Sequence, residues 1–364
     1  MYPPSAAVFD KTLTCKVYMK AWIDKTAWIS RRAKQILPNL SRFDIQSIAV
    51  IKHAALGDLL LTRPFLLALR RHFPDAKLTL SIVSHYGLGA PTDLVDRVHI
   101  ASGKNQLQEG LWKRVKSFRA LGPHDLIFDL TCNARSFWIT LLNKAKLKVG
   151  FIPRGLHKCS HHIFYDLAVP RSEYKFEAET FLDQLHALGI MPTWPLEFSL
   201  PRLKTPSAHS YVLYFVSAST PYKCWPKEKF SSLLRKMASH YPTLRHLVLP
   251  GVKAWERELA AQVVREAGPP VELLNGCRPE ESWAWVQNAR LLVANDTGIR
   301  NYAIACGTPT VGVFVATLPF RYLPRFGKHL AVFNPDGGAP KTEEAMQAAA
   351  SLLSPSTFEK TPDH

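Results

Sequence analysis

Ser47-Ile48-Ala49-Val50-Ile51-Lys52-His53-Ala54-Ala55-Leu56-Gly57-Asp58 opens with a short β-branched run, turns through Gly57 and leads into a helical pattern from about Leu59 to Phe73. A short buried strand that hands over to a helix in this way is a unit of a parallel α/β sheet. Leu78–Val83 and Leu126–Leu130 read as further strands of the same kind. Pro192, Pro195, Pro201 and Pro206 then punctuate Met191–Ser207. Prolines at that spacing fit neither a central strand nor a helix interior, so the stretch reads as an interdomain linker. The rhythm restarts beyond it, with strands at Tyr211–Val216, His246–Leu249, Leu291–Ala294 and Thr310–Phe314 and helices at Lys227–His240 and Ala254–Ala267. Two doubly wound halves put a cleft between two sets of strand C-terminal ends, where ligands bind in such sheets. The expected division is a basic extension over 1–44, a first half over 45–190, the linker over 191–207, a second half over 208–340, and a closing helix with a loose tail over 341–364.

The chain as a whole, 364 residues with 47% hydrophobic and 21% charged, is too apolar for a disordered protein. Its net charge of +17 implies an anionic counterpart: nucleic acid, a membrane surface or a phosphorylated substrate. No helix-turn-helix, zinc-finger or aromatic RNA-stacking pattern appears, so no nucleic-acid partner is expected. A transmembrane helix is not expected either, since no apolar run reaches the necessary length. Lys11, Lys16, Lys20, Asp24 and Lys25 interrupt any signal-peptide core. Scattered cysteines without a Cys-x-x-Cys pair argue against a disulfide framework and suit a reduced cytosol. His157, Cys159, His161 and His162 crowd one loop without the partners of a zinc set, so no metal is expected. Within residues 1–44, Tyr18, Trp22, Ile29, Ala33 and Ile36 share one helical side, with Lys16, Lys20, Arg31 and Lys34 roughly opposite. That pattern suits a helix resting on anionic lipid, or one packed on its own protein.

Three polar turns follow strand ends. In the first, Asp58 is either a general base, accepting a proton from a nucleophilic hydroxyl, or the cap of the next helix. In the second, Asp296-Thr297-Gly298 follows Leu291–Asn295 and is either a phosphate seat at a helix N-terminus or a capped turn. The third, Ser217-Ala-Ser219-Thr-Pro-Tyr-Lys223-Cys-Trp-Pro226, offers hydroxyls and one Lys that are either phosphate ligands or solvated surface. Their convergence on one cleft favours the functional reading.

In this order, Lys52 through Gly57-Asp58, Asp129-Leu-Thr-Cys-Asn133-Ala-Arg135-Ser136, Lys223-Cys-Trp225-Pro226 and Asn295-Asp-Thr-Gly298, followed by Cys306-Gly-Thr-Pro-Thr310, resemble the motifs of the lipopolysaccharide heptosyltransferases, glycosyltransferase family 9. The resemblance spans about residues 47 to 353 and implies a GT-B fold, two Rossmann-like domains facing a central cleft. It implies an inverting transfer of heptose from ADP-heptose to an anionic lipid A–inner-core acceptor, with Asp58 as base. Lys223, Ser217 and Ser219 would hold the diphosphate, Thr297 and Gly298 would add backbone donors, and Asp296 would bind the heptose. Glu256 would contact the nucleoside, and Lys52, Arg63 and Arg135 the acceptor. No Asp-x-Asp motif stands in a suitable place, so no cation or other cofactor is expected; a lysine and a helix N-terminus take that role. Such an enzyme would work from the cytoplasm, peripherally on the inner membrane. Two departures are visible: Cys132 stands where the family commonly has Gly, and Asn301 where it has His, with Arg300 beside it. The alternatives are a GT-B transferase for another nucleotide sugar, and a catalytically silent basic binding protein.

Overall fold

The chain alternates strand and helix from residue 47 to residue 353, and the computed structural model describes residues 27–83, 90–102, 110–152, 164–274 and 279–354. The first half comprises β1 (Trp28–Ile29), α1 (Arg31–Ile36), β2 (Ser47–Ile51), α2 (Leu56–Leu60), α3 (Arg63–His72), β3 (Lys77–Ile82), β4 (Arg97–Ile100), α4 (Leu111–Arg119), β5 (His124–Asp129), α5 (Ala134–Leu142), β6 (Ala145–Ile152), β7 (Leu167–Pro170) and α6 (Glu177–His186). The second comprises β8 (Tyr211–Phe215), α7 (Lys227–His240), β9 (Arg245–Val248), α8 (Ala254–Ala267), β10 (Val271–Leu273), α9 (Pro279–Gln287), β11 (Leu291–Asn295), α10 (Gly298–Cys306), β12 (Thr310–Phe314), β13 (His329–Phe333) and α11 (Thr342–Leu353).

The first sheet runs β1-β7-β6-β5-β2-β3-β4 and the second β10-β9-β8-β11-β12-β13. Among the described residues every pairing is parallel except β1 against β7. Strand order reverses direction between β2 and β5 in one sheet and between β8 and β11 in the other. Those switch points are where crossover helices leave to opposite faces and open a crevice at the strand C-terminal ends. All four motifs lie at these two points.

Buried on both faces, the central strands read as nearly unbroken apolar runs, Ile48–Ile51 and Tyr211–Phe215 among them. The two cores also exchange a residue each: Leu60 of α2 packs into the second half's core, and Ile304 of α10 into the first half's. The halves therefore meet partly through apolar contact.

The expected extension over 1–44 does not stand apart. Residues 28–29 form a strand, so no single helix runs from Tyr18 to Ile36, and α1 begins only at Arg31, where Ser30 caps it by accepting from the Ala33 N–H. Ala33, Leu37 and Leu40 are buried in the first half's core. Arg32 reaches Asp166 at 3.0 Å, and the Trp28 indole donates to the Tyr165 carbonyl at 3.1 Å. Residues 28–44 are thus part of the first half, and the packed alternative holds for them; Tyr18 and Trp22 lie outside the described residues. The helix expected over Leu59–Phe73 is two helices, α2 and α3, with a bend at Leu61–Thr62 ahead of Pro64. At the other end α11 packs on the second half through Ala345 and Ala349.

Leu37→Ala is expected to lower the unfolding free energy by about 3 kcal/mol, since a buried leucine is replaced by a cavity. Urea unfolding measures it; an unmoved midpoint would mean that residues 28–44 are a detachable leader.

Candidate active site

Four sequence motifs meet because three short-range ties hold them. Gly57 in α2 and Gly298 at the start of α10 approach so closely that a Cβ on Gly57 would lie 2.3 Å from the Gly298 Cα. Asn295, fully buried, accepts from the Trp225 N–H at 3.0 Å and donates to the Val216 carbonyl at 2.8 Å, binding the Lys223-Cys-Trp225-Pro226 turn to Asp296-Thr297-Gly298. Thr131 donates to the Ile51 carbonyl at 3.2 Å and accepts from the His53 N–H at 2.7 Å, which joins the Lys52 turn to the Asp129 turn.

Asp58 is not a cap. The cap position of α2 is Ala55, and Asp58 is the third helical residue, with no hydrogen bond to its carboxylate among the described residues. Burial pushes its pKa above the ordinary carboxylate range, while Lys52 and Arg321 pull it back. A half-buried carboxylate with open lone pairs and raised basicity can take a proton.

Lys52 stands behind it. Its ammonium is buried, lies 3.5 Å from Glu177 and sits 4.1 Å above the Phe181 ring; burial lowers its pKa and Glu177 opposes the change. Glu177 is 1% exposed and also pairs with Arg171 and with Arg321, the latter at 2.9 Å. Burial works against its charge, yet Lys52, Arg171 and Arg321 hold its pKa below the usual carboxylate value. Lys52 is therefore committed inside the site, which corrects its reading as an acceptor contact. Arg63 is corrected more fully. Buried against the linker, it forks onto Asp93 at 2.7 Å and donates to the Phe198 and Ser199 carbonyls, so it braces the connection between the halves. Arg135, at the start of α5, stays partly open, and burial together with the nearby Arg114 lowers its pKa.

On the opposite wall, Thr297 caps α10 by accepting from the Ile299 N–H at 3.1 Å, so the capped-turn alternative is realised there. The Gly298 N–H, one residue earlier, has no acceptor among the described residues and remains directed outward at the positive end of the helix. Asp296 accepts from the Thr317 hydroxyl at 2.7 Å. Lys223 ends a short 3-10 turn and is half-buried, Ser219 is exposed, and Ser217 is buried beneath the turn. Glu256 is not free for a nucleoside in the manner expected. It occupies the third position of α8, where its carboxylate accepts from the Lys253 N–H at 3.0 Å and packs under Gly251. Trp283 and Trp285, both partly buried, pack on Tyr302 and Tyr211 at the edge of the second half's core.

Both departures from the family pattern have structural settings. Cys132 takes φ +55°, the left-handed region that glycine enters freely, while its N–H joins that of Thr131 on the Asp129 carboxylate. Asn301 is buried close to Gly57, with its Oδ1 unpartnered among the described residues. Arg300 is 0% exposed and points inward, donating to the Tyr322 carbonyl at 2.7 Å above the Phe314 ring; burial draws its pKa down to about 10. The loop with His157, Cys159, His161 and His162 lies outside the described residues.

Comparison with known proteins settles the class. Residues 114–349 match glycosyltransferase family 9 (heptosyltransferase). The chain belongs to this family. Lipopolysaccharide heptosyltransferase 3 of Escherichia coli is 24% identical over 282 residues, which cover 72% of this chain and 81% of that protein. Among solved structures, E. coli heptosyltransferase WaaC with ADP-2-deoxy-2-fluoro heptose superposes with a TM-score of 0.68 at 18% identity, over 84% of this chain and 99% of that one. The family 9 glycosyl transferase from Veillonella parvula gives a TM-score of 0.65 at 20% identity, over 85% and 97%. The fold is GT-B, and the chain is a family 9 glycosyltransferase.

Sequence reading missed Arg171, Glu177 and Arg321. The available signal was Glu177 and Glu179 set among Phe176, Ala178 and Phe181, where carboxylates are buried only if paired.

Gly57→Ala is expected to force α2 and α10 apart and to cost about 1–3 kcal/mol of overpacking strain, with transferase activity lost alongside. Gly298→Ala, whose Cβ would meet the Gly57 Cα at 3.2 Å, should be milder. Thermal unfolding of the two variants checks the order.

Proposed function

We propose that this glycosyltransferase moves a heptose from ADP-heptose to the inner core of lipopolysaccharide, a lipid A–Kdo or heptosyl acceptor, with inversion. The observation that carries the reading is Asp58: a carboxylate that caps nothing, accepts no hydrogen bond from described residues, and stands at the seam where α2 meets α10. The naming of the relatives as heptosyltransferases supports the donor class.

Asp58 takes the proton from the acceptor hydroxyl, whose oxygen attacks the anomeric carbon from the face opposite the diphosphate. The carbon–oxygen bond to the diphosphate breaks and its electron pair leaves with ADP. Lys223 and the outward Gly298 N–H offset that charge, and Ser217 and Ser219 shape the turn around it. Asp296, held by Thr317, orients the sugar, and Arg135 meets an anionic acceptor. A second nucleotide sugar is favoured by one observation only, the neutral Asn301 in place of a cation.

The net charge of +17 supports a place at an anionic membrane surface on the cytoplasmic side. So does α4, where Leu111 and Trp112, the latter 85% exposed, precede Lys113, Arg114, Lys116 and Arg119. The neighbouring α5 exposes Trp138. No helix among the described residues is long and apolar enough to cross a membrane.

Asp58→Asn is expected to abolish transfer while ADP-heptose affinity by calorimetry stays within a few-fold. Turnover surviving the change would remove Asp58 from the role of base, and binding of only a UDP- or GDP-sugar would replace the donor. Because Asp58 must be ionised to act, kcat/KM should rise with pH through a limb lying above the ordinary aspartate pKa of about 3.9. Trp112→Ser should weaken sedimentation with phosphatidylglycerol vesicles; unchanged sedimentation would discard α4 as the contact.

A further inference from the structure

The charges around Asp58 come from both halves of the molecule. The first half supplies Lys52 after β2, Arg171 after β7, and Glu173 and Glu177 at the entry of α6. The second half supplies Asp296 after β11 and, on the segment after β12, Arg321 and Tyr322. Arg321 crosses the cleft: its Nη2 and Nε donate to Glu177 Oε2 at 2.9 and 3.2 Å, and its Nη1 lies 3.7 Å from Glu173. With it in place, three cations (Lys52, Arg171, Arg321) face four carboxylates (Asp58, Glu173, Glu177, Asp296). Without its charge, two cations would be left against those four. Of the four, Asp58 is the one with no hydrogen bond or ion pair to hold its anion among the described residues.

We infer that Arg321 is a positioning residue for Asp58: by crossing from the second half to Glu177, it adds to the surroundings of the base a cation that holds its carboxylate ionised. That charge opposes Glu177 and Asp296, which favour the protonated acid, so the second half supplies one group on each side of the balance. The inference rests on Asp58 being the base proposed above. Arg325 supplies an internal control. It makes a second ion pair across the cleft, to Glu179 at 2.5 Å, but it is not among the charges that act on Asp58.

The test is the pH profile of kcat/KM for the full chain with ADP-heptose and a lipid A–Kdo acceptor, in Arg321→Gln, Arg321→Lys, Arg325→Gln and Asp58→Asn. Loss of the neighbouring cation raises the pKa of Asp58, so the acidic limb of Arg321→Gln is expected to move up by about one pH unit. Arg321→Lys should recover most of that shift, and Arg325→Gln should leave the limb in place. ADP affinity by calorimetry should stay within about threefold throughout, as expected for a residue that acts through Asp58. Arg321→Met replaces Arg321→Gln if the latter does not fold. An unmoved limb, or equal losses of kcat in Arg321→Gln and Arg325→Gln without a shift, would reduce Arg321 to a structural tie. Turnover retained by Asp58→Asn would instead overturn the assignment of the base, whatever Arg321 does.

Discussion

Two helices, α2 and α10, can touch backbone to backbone only because neither carries a side chain at the crossing. Gly57 and Gly298 leave less room than one methyl group would need. On this approach depend the placement of Asp58 one residue after Gly57, the outward Gly298 N–H, and the exchange of Leu60 and Ile304 between the two cores. Close packing transmits any misfit, so a small displacement here would separate the base from the leaving-group wall.

Charge buried at this seam is costly unless each ion meets its opposite. The protein meets that condition by alternation: Lys52, Glu177 and Arg321 form a row in which the central carboxylate belongs to one half and the last guanidinium to the other. The cations of the chain thus fall into two groups with different physics. Surface lysines and arginines such as those on α4 act at a distance and are screened by salt, whereas the paired cations at the seam act locally and are screened far less. The second kind shapes the site, and the first draws the molecule toward anions.

Much of this was legible in the sequence, for identifiable reasons. Ile48–Ile51, Tyr211–Phe215 and Thr310–Phe314 are buried stretches of parallel strand, which advertise themselves as nearly uninterrupted apolar runs, and α7 and α8 have the bounds their periodicity suggests. Three of the four turns were visible because a glycine or a capping residue follows the strand, Gly57, Asn133 and Thr297, and the remaining one because hydroxyls and prolines replace the apolar run after Val216. What stayed hidden was decided by contacts distant in sequence. β1 is too short for any pattern, and Lys52 and Arg63 read as exposed cations until Glu177 and Asp93 cover them. Glu256 is an ordinary first-turn glutamate whose capping geometry needs the backbone of Lys253. Arg321 pairs with a residue 144 positions away, a separation that no local reading spans.

The antiparallel pairing of β1 has a consequence for the molecule among its neighbours. An open parallel sheet presents a row of unpaired N–H and C=O groups at its rim, a template on which strands of other molecules can grow. In the first sheet that rim is β7, and β1 covers it with only two residues, Trp28 and Ile29, before the chain turns away into α1. A strand so short satisfies its neighbour and offers little of its own to extend. The opening strand of the first half thereby blunts one side of the sheet, a safeguard against self-association that a domain cut to begin at Ser47 would lack.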